Sequence, residues 1–238
     1  FKDEDIMISY TPFGHSDWQS IVSDIKKFGT AGKKTAVVST INGDANVPFY
    51  KELSNQGISA KDIPVVAFSV GEEELSGIDT KPLVGHLAAW NYFESVDSDA
   101  NDEFIEEWHK YTGDEKRVTN DPMEATYIGF NMWVKAVEKA GTTESNAVQN
   151  ALIGVTVPNL SGSYATMMPN HHITKPVLIG EIQEDGQFQV VDETPTTVVA
   201  DEWSDYLPGS KDLIADWRKP LSCGNFNVKT GKCGGSSK

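Results

Sequence analysis

Three apolar runs dominate the first part of the chain: Thr35-Ala-Val-Val-Ser-Thr-Ile41, Pro64-Val-Val-Ala-Phe-Ser-Val70 and Leu83-Val-Gly-His-Leu-Ala-Ala-Trp-Asn-Tyr-Phe93. They do not alternate apolar with polar, so both faces of each strand need cover. Segments of helical period lie between them. Asp17–Phe28 carries Trp18, Ile21, Val22 and Ile25 on one stripe, with Ser16 or Asp17 as its cap. Val47–Asn55 has Asn46 as cap, Pro48 in its first turn and Gly57 past its end. A short helix is expected at Glu72–Ser76 and a first strand at Ile6–Phe13. Strands alternating with amphipathic helices make this an α/β protein with a parallel sheet covered on both faces.

The pattern changes after Phe93. Asp97-Ser-Asp-Ala-Asn101 opens a helix through Tyr111, closed by Gly113. A longer helix runs from about Pro122 to Ala140, with Met123, Tyr127, Phe130, Trp133, Val134 and Val137 expected to face a core. A third covers Asn146–Leu152. No strand is read in this block, so its large apolar stripes call for a sheet from elsewhere. The expectation is that the chain is the latter part of a larger protein. Pro176–Glu181 and Gln187–Val191 then flank Asp185-Gly186, a hairpin signal. From Trp203 onward Pro, Gly, Ser and Lys dominate, which predicts an irregular tail.

Twenty basic against 35 acidic residues give a net charge of −15. That excess repels phosphate backbones, which argues against nucleic-acid binding and gives no attraction to anionic membranes. No apolar run approaches the ~20 residues of a membrane span. The opening Phe1-Lys-Asp-Glu-Asp-Ile6 is not a signal peptide. Cys223 and Cys233 flank a short loop and are read as a surface disulfide of an oxidising compartment. They lack the spacing and partners of a zinc site.

In open parallel sheets, ligands sit beyond the carboxyl ends of the strands. The residues expected there are Phe13-Gly14-His15-Ser16, Asn42-Gly43-Asp44-Ala45-Asn46, Ser69-Val70-Gly71-Glu72-Glu73-Glu74 and Trp90-Asn91-Tyr92. Gly43 lets the backbone approach closely or take positive φ. Asp44 and Asn46 can point polar groups into a cleft or serve as helix caps, readings of roughly equal weight. The three glutamates suit a first helical turn, where at most one need point inward. Trp90 also fits as core filling.

Catalytic patterns are missing from the sequence: there is no nucleophile elbow, phosphate-binding loop or dinucleotide fingerprint. His171-His172 lie side by side and would face opposite ways on a strand. No nucleophile is paired with a base, no cofactor is called for, and an enzyme is not expected.

Several motifs together resemble the urea-binding proteins of ABC transporters, a family near the short-chain amide and branched-chain amino-acid binding proteins. They are Pro12-Phe-Gly-His-Ser-Asp17, Ser39-Thr-Ile-Asn-Gly-Asp-Ala-Asn46, Phe68-Ser-Val-Gly-Glu-Glu-Glu-Leu75, Gly85-His-Leu-Ala-Ala-Trp-Asn-Tyr-Phe93, Asp121-Pro-Met-Glu-Ala125 and Lys175-Pro-Val-Leu-Ile-Gly180. The resemblance spans roughly residues 6 to 200. It implies a type I periplasmic-binding-protein-like fold: one nearly complete parallel-sheet lobe plus the helical part of a second, truncated lobe. The divisions it implies are 1–93 for the sheet lobe, 94–171 for the helical part, 172–202 for the return hairpin and 203–238 for the tail.

The implied function is to bind urea or a short-chain amide between lobes and deliver it to a membrane permease. The implied location is periplasmic or extracellular, with a lipid anchor on the complete protein. Urea offers four N–H donors and one carbonyl, and unmatched buried polar groups cost about 1–3 kcal/mol each. On this resemblance Asp44 accepts from one amino group and Asn42 reads the carbonyl or a second N–H. Ser69, Glu72 and Glu73 contribute from the next loop, with Gly43 and Asn46 shaping the first. Trp90 or Tyr92 covers the flat face, Met123 or Glu124 reaches in from the long helix, and Phe13 or His15 lines the mouth. Two rivals keep the fold: an amino-acid-binding protein, and an amide-sensing regulatory receptor.

Overall fold

The computed structural model describes residues 1–201, 203, 206, 208–214, 226–227 and 230–233. The chain enters through an extended stretch into helix α1 (Gln19–Gly29), then strand β1 (Val37–Ser39), helix α2 (Asn46–Asn55) and strand β2 (Val65–Ala67). Helix α3 (Glu72–Leu75) and strand β3 (Leu87–Trp90) follow. The chain then leaves the sheet for α4 (Asp99–Thr112), α5 (Asp121–Ala140), α6 (Ser145–Leu152) and the hairpin β4 (Thr156–Pro158) and β5 (Tyr164–Thr166). It returns as β6 (Leu178–Ile182) and β7 (Phe188–Glu193).

The sheet order is β1-β2-β3-β6-β7. β1, β2 and β3 run parallel, while β6 pairs antiparallel with β3, and β7 with β6. Residues 1–198 form one compact unit and 199–238 a second. The second holds a three-stranded antiparallel sheet of β8 (Leu213–Ile214), β9 (Phe226–Asn227) and β10 (Lys232–Cys233). The expected pairing of Cys223 with Cys233 falls on a residue outside those described.

Trp18 just before α1, Val22 and Ile25 of α1 and Phe49, Tyr50 and Leu53 of α2 share one core with Val65, Ala67, Ala88, Leu178 and Ile182 of the sheet. Burying each large apolar side chain there stabilises the fold by about 1.5–3 kcal/mol. Gly180 has no room for a side chain: an added Cβ would lie 2.8 Å from Phe93 and 3.0 Å from Phe188. Those two rings stack with centroids 4.5 Å apart.

Three expectations need correction. Residues 6–13 form no strand; they pair with no strand among the described residues, and Ile6, Met7, Ile8, Tyr10 and Phe13 are exposed. The sheet is well covered on one face only. Its other face carries Val38, 68% exposed, in register with the partly covered Val66 and Leu87.

The third concerns the block after Phe93, which is not all helical. The β4–β5 hairpin supplies Val157 and Ala165 to a second core with Val155, Ile128, Met132, Ala136 and Val148. α5 therefore buries a narrow stripe of smaller residues and leaves Tyr127, Phe130 and Trp133 exposed.

Candidate functional site

The loops that leave β1 and β2 at their carboxyl ends are tied together by one side chain. Asn46, fully buried at the start of α2, donates through Nδ2 to Ile41 O (3.0 Å), Gly43 O (3.2 Å) and Ser69 O (3.1 Å). The loop after β1 is thereby fixed against the loop after β2. Gly43 sits at φ +61°, where a side chain would be strained. Asn46 Oδ1 is buried and has no hydrogen-bond partner among the described residues.

Asn42, Gly43 and Asp44 are exposed on this loop, and Ser69 is half-buried beside it. The three glutamates divide. Glu73 is exposed. Glu74 folds back so that Gly71 N–H donates to its Oε2 at 2.9 Å, closing the first turn of α3. Burial raises the Glu74 carboxyl, the Gly71 bond opposes it, and the charges of Glu73 and Asp44 raise it further. Asp44 is therefore within electrostatic reach of Glu74.

Behind them, a Cβ at Gly71 would touch the Trp90 ring at 3.4 Å, Glu74 Oε2 at 3.7 Å and Asn120 Cβ at 3.8 Å. Asn120 caps α5, accepting from Met123 N–H at 3.0 Å. Glu74, Trp90 and Asn120 thus meet at Gly71, two residues beyond Ser69 on the loop that Asn46 ties to Gly43, with Met123 half-buried just inside the helix.

Other expected residues are placed elsewhere. Glu72, 1% exposed, accepts from Glu94 N–H at 2.7 Å, and burial pushes its carboxyl up to about 8. Its Oε2 has no hydrogen-bond partner among the described residues. Glu72 lines a cavity of about 210 Å³ with Thr80, Lys116 and Gln187, to which neither Asp44, Glu73 nor Trp90 contributes.

Tyr92 is fully buried, its hydroxyl 2.7 Å from both Asn101 Oδ1 and Thr119 Oγ1, so its ring covers nothing at the edge. Glu124 is buried against Lys175. Phe13 is 87% exposed, and the His15 ring is spent on Trp18 and the carbonyl of Asp17. Glu74 is expected from sequence only as part of the edge loop, and Asn120 and Lys175 are not expected as site residues. The cap signature Asn120-Asp121-Pro122 is the available signal for Asn120.

A family model described as periplasmic binding protein domain matches residues 2–209. The chain belongs to that family. Its fold is the type I periplasmic-binding fold, as two solved structures show. One is a solute-binding protein of an ABC transporter from Rhodopseudomonas palustris HaA2 in complex with p-hydroxybenzoic acid (TM-score 0.68, 21% identity, 79% of this chain and 51% of that one). The other is a leucine-binding protein from Thermotoga maritima MSB8 (TM-score 0.59, 14% identity, 76% and 49%). The chain spans about half the length of these structures. It is also 33% identical over 112 residues to a limonene hydroxylase from Geobacillus stearothermophilus, a match covering 47% of this chain and 20% of that protein.

Proposed function

We propose that this periplasmic-binding chain is the ligand-binding part of an ABC transporter's solute receptor, taking urea or a short-chain amide at the edge built by Asn42, Asp44, Ser69, Glu74 and Trp90. It acts outside the cytoplasm and passes the solute to a membrane permease. The observation that carries this reading is the cross-bracing of two acceptor-bearing loops by Asn46, with Trp90 packed directly behind them. Such an edge offers lone pairs to N–H donors and an aromatic surface to a flat molecule.

The charges narrow the ligand class. Asp44, Glu73 and Glu74 together repel an anionic aromatic acid of the kind bound by the Rhodopseudomonas protein, unless a cation intervenes. They accept the N–H groups of a neutral amide. The same carboxylates favour a second reading, an amino acid held by its ammonium group, in keeping with the leucine-binding neighbour. Isothermal titration with urea, acetamide, formamide and leucine separates the two. Heat from urea or a short amide supports the first; heat from leucine alone overturns it.

A further inference from the structure

Both strands of chain that join the sheet to the helical block are fastened to one turn of α5. On the way out, Asn91 N–H donates to Asp121 Oδ2 at 3.1 Å. On the way back, Lys175 Nζ is bonded to Glu124 and lies 3.8 Å from Asp121 Oδ2. The two crossings are also joined to each other, because Asn91 Nδ2 donates to Pro176 O at 2.6 Å. Asp121 and Glu124 are three residues apart and share one face of the helix. All three charged side chains are almost completely removed from solvent.

Taking three charges out of water is costly and seldom stabilises a fold on balance. Such a cluster is better explained by the arrangement it enforces. Here each charge holds a different piece of chain: Asp121 the outgoing crossing, Glu124 the hairpin end through Leu160 N–H at 3.5 Å, and Lys175 the returning crossing. Next to the clamped residues stand two that build the candidate edge. Trp90 precedes Asn91, Asn120 precedes Asp121, and both pack on Gly71.

We propose that Lys175 is a positioning residue: by joining Asp121 and Glu124 it locks both crossings onto the start of α5 and so keeps Trp90 and Asn120 in register with the loops after β1 and β2. Lys175 is buried in this cluster and acts through the crossings it holds. Its contribution to binding rests on the function proposed above; its role as a clamp does not.

The test is hydrogen–deuterium exchange of the full chain, comparing wild type with Lys175→Met and Glu124→Gln. Loss of the clamp accelerates exchange at least about tenfold in the peptides spanning residues 87–94 and 173–178, while α1 and α2 keep their protection. Glu124→Gln shows the same pattern at smaller amplitude, and it decides the matter if Lys175→Met does not fold. Uniform acceleration over the whole chain, or none anywhere, overturns the proposal. Urea titration followed by tryptophan fluorescence is run in parallel. If wild type binds urea, Lys175→Met binds at least about tenfold more weakly. If wild type ignores urea, the ligand reading fails and the exchange pattern alone judges Lys175.

Discussion

Asn46→Ala removes the brace on which the candidate edge depends. The amide makes three contacts but has two protons, so about two full hydrogen bonds are lost, each worth about 1 kcal/mol net. The carbonyls left without a donor are only partly buried and add up to about 2 kcal/mol. The expected loss of stability is therefore about 2–4 kcal/mol.

Guanidinium chloride is the denaturant to use, since urea is the proposed ligand. With a slope of about 4–6 kcal/mol per M for a chain this long, the midpoint should fall by about 0.3–1 M. Asn46→Asp provides the control, being the same shape but with acceptors facing three carbonyls. Its carboxyl must stay protonated when folded, so its folded pKa rises above the unfolded value. Stability is then greatest below the unfolded pKa and declines by up to about 1.4 kcal/mol per unit as pH rises through the folded one. A midpoint shift below about 0.1 M in Asn46→Ala, with Asn46→Asp flat in pH, would refute the brace.

Gly180→Ala should destabilise by about 1–3 kcal/mol in thermal melts, because the new methyl meets the stacked Phe93 and Phe188. Glu72→Gln should be more stable than wild type at pH 8–9. The buried acid has a raised pKa of about 8, so its stabilisation is complete below the ordinary glutamate value and lost as pH rises through the raised one. The difference should vanish near pH 4.5, where equal curves at all pH values would count against it. Asp44→Asn, on an exposed loop, should leave stability within about 0.5 kcal/mol of wild type while weakening amide binding about tenfold in calorimetry.

The βα succession was legible because periodicity and capping agree locally: Pro48 sits in the first turn of α2, and Val65 and Ala67 are buried at the centre of their apolar run. α5 was misread on its core face. Tyr127, Phe130 and Trp133 are the larger apolar residues, and size suggested burial, but the β4–β5 hairpin covers Ile128, Met132 and Ala136 instead. That hairpin rests on three-residue strands, too short for alternation to register.

At the candidate edge, strand ends could be located but not the direction of each side chain. Glu72, Glu73 and Glu74 are identical in sequence and separate only through their partners, Glu94 and Gly71. Tyr92 looked equivalent to Trp90 until the turn after β3 placed its hydroxyl between Asn101 and Thr119.

The antiparallel pairing of β6 with β3 has a mechanical result. Trp90 lies opposite Leu178, so the outgoing and returning threads run as neighbours, about 5 Å apart. A body hung on one thread swivels in every direction. Hung on two abreast, it resists twisting and folds mainly about the line that joins them. Any swing of the helical block is thus steered about the line that joins Trp90 and Leu178.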